Sequence, residues 1–432
     1  MLKTRSGKLE LDGVDVAELV QRVGSPAYLY SRATVTRNVR ALEAGLDGSP
    51  HLLCYAIKAS SAQALLELTT SLGCGLDAGS LGELARALMT RTPASRIVLT
   101  GLGKSDAELE AAVHAGVRYV CIESASELDA LNRAAVRVGR RAAASLRVNP
   151  DVDAKTHPHI ATGLAEHKFG VSVAEEHALA GGRQRRPQID WLGISCHVGS
   201  QITSLEPFAA ASKRMLELAG ALERTGLTLT HLGLGGGLGI RYTNESPPTR
   251  ERYARALARA VAPTGRTLVL ELGRAIVGDA GWLATRVVRI KAGAKRPIVV
   301  LDAGMNDLLR PALYGARHEV LPVQRRAGAR RRYDVVGPVC ESSDVFWRDT
   351  ALPLLAEGDL VLLANAGAYG HAMSSTYNGR PRLPEVLCGD GRALIMRRRE
   401  RLEDLWRGEA RLGGGAVTRT MPRALSARSK RR

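Results

Sequence analysis

The stretch His51-Leu-Leu-Cys-Tyr-Ala-Ile-Lys-Ala-Ser60 is an apolar run of strand length that closes on a lysine. An ammonium set directly after buried residues is costly unless it is solvated, paired or used in chemistry. The residues leave two readings open. The stem of Lys58 can snorkel to water from the end of a buried strand. Alternatively, Lys58 is an imine-forming lysine whose pKa is lowered by its site, which suits a carbonyl cofactor.

Runs of the same kind recur near 52–57, 75–78, 97–100, 118–122, 143–148, 190–197, 230–234 and 267–271. Between most of them lie segments rich in Ala, Leu, Glu and Arg with helical spacing, such as Ser80 to Met89, Asp106 to Ala115, Ser124 to Val138 and Pro207 to Thr225. Strands alternating with helices make a parallel sheet. Eight such units predict an α/β fold with a closed, TIM-like (β/α)8 barrel. A doubly wound open sheet is the alternative, but no early Gly-x-Gly-x-x-Gly turn supports it. From about residue 282 the texture changes, and 287–290, 298–301, 333–336 and 360–364 read as strands separated by turns. We expect a barrel over 28–282, a β-rich domain (barrel- or sandwich-like) built from 1–27 plus 283–408, and a basic, disordered tail over 409–432. Ahead of the barrel, Val16, Leu19, Val20 and Val23 predict a short amphipathic helix within 11–23, Ala27–Tyr30 a strand, and 32–46 a helix.

The 432 residues carry a formal net charge of +18. The excess sits in late clusters: Arg325 to Arg332, Arg397 to Arg401, and the tail from Arg411 to Arg432, which has no acidic residue. These runs lack the aromatics and motifs of a nucleic-acid footprint and read as solvated surface, so no nucleic-acid partner is expected. The six cysteines (Cys54, Cys74, Cys121, Cys196, Cys340 and Cys388) show no Cys-x-x-Cys pairing. No signal-peptide pattern and no run of about 18 apolar residues stands out. A cytoplasmic protein with reduced thiols and no membrane contact is the expectation.

Barrel enzymes carry their chemistry at the C-terminal ends of the strands. Those ends read Lys58, Asp77 with Ser80, Gly101, Glu123, Asn149, His197, Gly235-Gly-Gly237, and Glu271 with Arg274. Taken singly, His197 reads equally as a core histidine, the glycines as a tight turn, and Glu271 with Arg274 as a structural ion pair. Together they put an amine, an imidazole, a backbone cradle of phosphate size and a carboxylate–arginine pair on one rim. His157 and His159, near Asp151 and Asp153, match no standard metal spacing, and no metal is expected. In the second domain, Arg310-Pro-Ala-Leu-Tyr314 puts an arginine and a tyrosine beside a proline. Gly337-Pro-Val-Cys-Glu-Ser-Ser-Asp344 puts Cys340 next to Glu341 in a turn-rich loop, an unusual setting for a structural cysteine.

Several further motifs complete the pattern: Tyr55-Ala-Ile-Lys-Ala-Ser60, Arg147-Val-Asn-Pro-Asp151, His157-Pro-His-Ile-Ala-Thr-Gly163, Lys168-Phe-Gly170, His197-Val-Gly-Ser-Gln201, Gly235-Gly-Gly-Leu-Gly-Ile240, Gly367-Ala-Tyr-Gly370 and Ser374-Ser-Thr-Tyr-Asn378. With them, the chain from about residue 25 to 395 resembles the pyridoxal-phosphate decarboxylases of the alanine-racemase-like barrel group, which act on ornithine, arginine or diaminopimelate, and specifically the diaminopimelate branch. The resemblance implies that pyridoxal phosphate is held by Lys58, which gives it up to the substrate amine. It implies Glu271 at the pyridine nitrogen, His197 stacked on the ring, and Gly235, Gly236, Gly237, Ser200, Arg274 and Tyr369 around the phosphate, with Arg274 and Tyr369 also near substrate. For the distal amino-acid head of meso-diaminopimelate it implies Arg310 and Tyr314 at the carboxylate and Glu341 at the ammonium. Cys340 would return a proton to the carbon that has lost CO2. The implied reaction yields L-lysine and CO2, the last step of lysine biosynthesis, in a homodimer whose Cys340-Glu341 loop reaches into the partner's site. Other substrates of the same group, and a non-catalytic relative, are the competing readings. The presence of both Lys58 and Cys340 argues against the second. Two departures are visible. Leu272 in Glu271-Leu-Gly-Arg274 replaces the family's proline, which predicts a looser loop, and Gly79-Ser-Leu-Gly-Glu83 stands where the family has Ser-Gly-Gly-Glu.

Overall fold

Strands His51–Ala56, Gly75–Ala78, Ile97–Leu99, Tyr119–Ile122, Ala142–Arg147, Ile189–Ser195, His231–Gly233 and Thr267–Leu272 pair side by side in chain order and close into one barrel. Every neighbouring pair is parallel, and the last strand closes on the first through Leu268↔His51 and Leu272↔Tyr55. The structure, a computed structural model, describes residues 1–5, 8–153, 169–172, 175, 179, 182–324, 328–410 and 412. His157, His159, Lys168, Arg325, Arg326 and almost all of the basic tail lie outside the described residues.

A strand turns alternate side chains to opposite faces, and in this barrel that parity decides everything that follows. Leu52, Cys54, Val98, Tyr119, Cys121 and Val269 pack together as the barrel's own filling. The other face of the same strands, Leu53, Tyr55, Leu76, Ile97, Leu99, Val120, Ile122 and Leu270 among them, packs into the main core with the surrounding helices. Continued to the strand ends, the inward parity runs through Lys58, Asp77, Thr100, Glu123, Arg147, His197 and Glu271. Three helices start on the same Ser-x-x-Glu pattern: Ser80, Ser105 and Ser124 each accept the backbone N–H of the glutamate three residues on. At the first of these, Glu83 Oε2 also accepts the Gly79 N–H at 2.7 Å, so Gly79-Ser-Leu-Gly-Glu83 is a helix start.

The second domain is built on one long strand, Gly281–Lys291. It pairs with Ile298–Leu301, with Leu360–Leu363 and with Ala27–Ser31. Ala27–Ser31 in turn pairs in parallel with Glu385–Gly389, so this early segment lies inside the second sheet. The chain therefore enters the barrel part at helix Arg32–Leu46, four residues after the 28 read from the sequence. The β-rich character expected after 282 holds; of the N-terminal strands only Ala27–Ser31 joins that sheet. The helix expected within 11–23 begins only at Val16, where Asp15 accepts the N–H groups of Ala17 and Glu18. What precedes it is a small sheet, Leu2–Arg5, Lys8–Leu11 and Val14–Asp15. Asp12 and Gly13 turn its second hairpin, with φ of 51° and 82°.

The cluster Arg397 to Arg401, expected as solvated surface, is partly structural. Arg397 Nε donates to the buried Glu385 at 2.7 Å, and Arg399 Nη2 donates to the Pro26 carbonyl at 2.6 Å. Among the described residues, no helix is long and apolar enough to cross a membrane.

His318 shows what burial does to a titratable group here. It is fully enclosed; its Nδ1 donates to the Ala364 carbonyl at 2.7 Å and its Nε2 accepts from Arg310 Nη1 at 2.9 Å. Burial, with the Arg310 charge adding to it, pushes its pKa down to about 3 from the usual 6.5. Between those values the unfolded chain binds a proton that the folded chain refuses. Stability should therefore fall as pH drops through that window, by about 1.4 kcal/mol per pH unit from this one group. Urea unfolding across the window should show a shallower slope, by up to one proton, in His318→Gln. An unchanged slope would contradict the assignment.

Candidate active site

The strand ends open into one cavity of about 480 Å³. Lys58, His197, Ser200, Gly237, Glu271, Arg274, Tyr314 and Tyr369 all line it, so eight of the expected site residues converge. Lys58 follows the first barrel strand in the short turn Ile57–Ala59. Its side chain has accessible surface because it faces the hollow, and the protein groups around it there govern its charge. Burial disfavours the ammonium, but the Asp77 carboxylate, then the Tyr369 phenol and Glu271, more than offset it and hold the pKa above the usual lysine value. The lowered pKa expected from the sequence is thus corrected: the acids that share the floor with Lys58 outweigh its desolvation.

Asp77 is itself fixed by a 2.5 Å hydrogen bond from Thr100 Oγ1. Glu271 is pushed up to about 8, chiefly by burial and then by Asp77, with Lys58 and Arg147 opposing. Its described hydrogen bond is a long one, from the Tyr119 hydroxyl at 3.4 Å. Opposite, Arg147 Nη1 donates to Glu123 Oε1 at 2.6 Å, and Glu123 Oε2 accepts the Gly170 N–H at 2.7 Å. The pocket floor is therefore an alternation of acids and bases with its charges held in place.

His197 Nδ1 accepts the Gly236 N–H at 3.2 Å, which leaves Nε2 as the protonated nitrogen of the neutral ring. Burial, and then the Lys58 and Arg147 charges, drive its pKa well below the usual value, so the ring stays neutral. The triple-glycine turn is a place where side chains do not fit. A Cβ at Gly235 would stand 2.6 Å from the Cys196 carbonyl oxygen, at Gly236 2.2 Å from that of Glu271, and at Gly237 2.3 Å from that of Gly199. Gly237 lines the cavity, while Gly235 and Gly236 lie behind it and seat the His197 and Glu271 backbones. Gln201 clamps the same turn: its Nε2 donates to the Ile240 carbonyl at 2.6 Å and its Oε1 accepts the Ile240 N–H at 3.1 Å.

Beyond the glycines, Arg274 Nη2 donates to Ser200 Oγ at 2.9 Å and Nη1 to the Tyr242 hydroxyl at 2.6 Å. Its guanidinium lies 5.0 Å from the Tyr369 ring. The Tyr369 backbone, at φ 58°, is anchored by its N–H to the Ala59 carbonyl at 2.8 Å. Leu272 is buried, ends the strand in register with Tyr55 and lines the cavity.

Three expected residues are placed differently. Arg310 is buried but stands behind the wall, outside the cavity lining. Cys340 and Glu341 are exposed, on a loop that does not line this chain's own cavity. That loop is nonetheless stiff: the buried Asp344 accepts the N–H groups of Val339 and Met305, both at 2.7 Å. Tyr242, Thr100 and Tyr119 belong to the site and were not singled out from the sequence. Strand parity would have found Thr100 and Tyr119; nothing in the sequence marks Tyr242. Among the described residues no cluster of His, Cys, Asp and Glu could hold a metal, and the His157–His159 region lies outside them.

These residues fit an aromatic cofactor that carries an aldehyde and a phosphate. The glycine cradle has no room for Cβ atoms, and the buried Arg274 Nε has no partner among the described residues, Ser200 accepting from Nη2. Glu271 lines the same cavity and, among the described residues, makes no ion pair, although the Lys58 and Arg147 charges act on it. Comparison with known proteins decides the family. The model of the pyridoxal binding domain of pyridoxal-dependent decarboxylases matches residues 32–278. A diaminopimelate decarboxylase from Pseudomonas aeruginosa is 44% identical over 408 residues, covering 94% of this chain and 98% of the relative. The chain belongs to the diaminopimelate decarboxylase family. A solved diaminopimelate decarboxylase of Helicobacter pylori, in complex with L-lysine, is 38% identical with a TM-score of 0.87, over 91% of this chain and 98% of that one. The enzyme from M. jannaschii, also with L-lysine, is 32% identical with a TM-score of 0.91, over 96% and 98%.

The glycine turn gives a direct test. Gly237→Ala must place a Cβ 2.3 Å from the Gly199 oxygen at φ +106°. We expect a loss of roughly 2–4 kcal/mol of stability together with weaker cofactor retention. Thermal unfolding with and without added pyridoxal phosphate checks it, and a melting temperature equal to that of the parent in both would refute it.

Proposed function

We propose that this protein decarboxylates meso-diaminopimelate to L-lysine and CO2, the last step of lysine biosynthesis. It is a pyridoxal-phosphate-dependent carboxy-lyase. The observation that carries the reading is the convergence of Lys58, His197, Glu271 and the Gly237–Ser200–Arg274 end on one cavity. Bound pyridoxal phosphate supplies an electron sink for the charge left when CO2 departs.

The chain's residues do the rest. Lys58 would hold the cofactor through its aldehyde, and its amine is the group a substrate amine would replace. Its raised pKa favours the ammonium, so a proton must leave before the amine can attack, and Asp77 and Glu271 are the groups facing it. Glu271 would pair with the pyridine nitrogen of the cofactor and keep it protonated. A cationic partner returns this acid to its carboxylate form, which burial alone resists. The neutral His197 ring covers one face and contributes no competing charge. Ser200, Gly237, Arg274 and Tyr369 orient the phosphate, with Arg274 and Tyr369 also near substrate. Arg310 and Tyr314 take the distal carboxylate, for which the planar guanidinium is suited.

Cys340 and Glu341 complete the site from a second copy of the chain. Their exposure on a loop stiffened by Asp344 supports this: a cysteine held at a rigid tip outside its own cavity is placed to serve another. There, Cys340 delivers the proton to the decarboxylated carbon and Glu341 pairs the distal ammonium. The cysteines among the described residues are all unpaired, which supports a reducing, cytoplasmic setting. Release of CO2 from meso-diaminopimelate by the cofactor-loaded protein, with L-lysine as product, tests the proposal. Turnover of ornithine or arginine in its place would overturn it.

A further inference from the structure

Two buried arginines, Arg274 in the cavity lining and Arg310 behind its wall, come from different domains. Arg274 follows the last barrel strand, and Arg310 opens helix Arg310–Tyr314 of the second domain. They are 6% and 5% exposed. Tyr242, on the barrel loop that follows the glycine turn, lies between them. The Arg310 guanidinium is 4.4 Å from its ring centroid and that of Arg274 is 5.7 Å away, while its hydroxyl accepts from Arg274 Nη1.

His318 holds Arg310 from the other side. Its Nε2 accepts from Arg310 Nη1, its Nδ1–H is spent on the Ala364 carbonyl, and its ring stands edge-on to Tyr242 with centroids 5.3 Å apart. The next residue, Asn365, donates from Nδ2 to the Arg241 carbonyl at 2.9 Å. The end of strand Leu360–Leu363 thus fixes both His318 and the loop that carries Tyr242. Two guanidiniums are buried here against the one Tyr242 ring, and the Nε of each has no partner among the described residues. Like charges so enclosed repel, and anions are what satisfy them. Among the described residues no carboxylate pairs with either arginine; the Tyr369 ring also lies against Arg274, at 5.0 Å.

We propose that Tyr242 and His318 are positioning residues that set the span between two anion sites, and that this span selects a substrate carrying a carboxylate at a fixed distance from its reacting end. The inference rests on the proposed decarboxylation of a substrate with an amino-acid head at each end. The Tyr242 ring backs Arg310 and stops its guanidinium from moving towards Arg274, with a cation–π attraction holding it there. His318 fixes the arginine rotamer with a neutral acceptor, so Arg310 keeps its charge for the ligand. An amine without the remote carboxylate leaves Arg310 unpaired, and that loss is the basis of selection.

The test uses holoenzyme and two competitive inhibitors of equal chain length. L-lysine keeps one amino-acid head, and cadaverine has none. In Tyr242→Leu and in His318→Leu, inhibition by L-lysine should weaken about ten-fold, some 1.4 kcal/mol, and KM for meso-diaminopimelate should rise by a similar factor while kcat changes less than about three-fold. Inhibition by cadaverine should not move, and the absorbance of bound cofactor should persist. Tyr242→Phe, which keeps the ring beneath Arg310, should hold L-lysine inhibition within about two-fold of the parent. A leucine variant that loses the cofactor is replaced by His318→Gln, judged by the same lysine-to-cadaverine ratio. Equal weakening of both inhibitors, or L-lysine inhibition unchanged in the variants, overturns the inference. Failure of the parent protein to turn over meso-diaminopimelate overturns instead the function on which it rests.

Discussion

Lys58→Ala should lose the absorbance of covalently held cofactor and decarboxylate at least roughly a thousand-fold more slowly, about 4 kcal/mol of barrier. The size of the effect follows from position. Lys58 is the amine that the first barrel strand delivers into the hollow, ringed by Asp77, Glu271 and Tyr369. Removing it takes away the covalent hold on the cofactor and the amine that exchanges with substrate. The phosphate end is built separately, from Gly237, Ser200 and Arg274. The variant should therefore still bind pyridoxal phosphate reversibly, and equilibrium dialysis should find it. Covalent cofactor persisting in the variant would show that another amine holds it.

The second large effect concerns two chains at once. Cys340→Ala alone should decarboxylate poorly, and so should Lys58→Ala alone. Unfolded together and refolded, the two should recover about a quarter of parental activity. In a two-fold dimer, half of the molecules are then mixed, and each mixed molecule has one site with both groups intact. The prediction comes from Cys340 being exposed at the tip of a loop that does not line its own cavity. If each cavity instead drew Cys340 from its own chain, the mixture would be as inactive as its parts.

The barrel was legible because its signal is local. Eight apolar runs, with helical spacing between most of them, have one closed parallel solution, and the strands fell where the runs were. The rim residues were legible for a related reason: a side chain at a strand end points in or out by parity, so Lys58, His197 and Glu271 had to meet if the barrel closed. What escaped is non-local. Ala27–Ser31 has the sequence of any short strand, and only its pairing with Gly281–Lys291 and Glu385–Gly389 assigns it to the second sheet. Tyr242 and His318 have no periodicity to betray them; they matter because two loops from different domains pack around the same guanidinium. The charge state of Lys58 escaped too, since it depends on how many acids share its floor, a sum over distant strands.

The central sheet also constrains how the protein is made. Ala27–Ser31 is flanked on one side by Gly281–Lys291 and on the other by Glu385–Gly389. On the ribosome, one of the first segments to emerge must wait for one of the last, a delay of roughly tens of seconds at ordinary elongation rates. The barrel can close during that wait, whereas the second domain folds only after nearly the whole message has been read. A nascent chain stalled before residue 385 would hold every partner of Gly281–Lys291 but leave one edge of Ala27–Ser31 unpaired, which makes this the stage of biogenesis most in need of a chaperone.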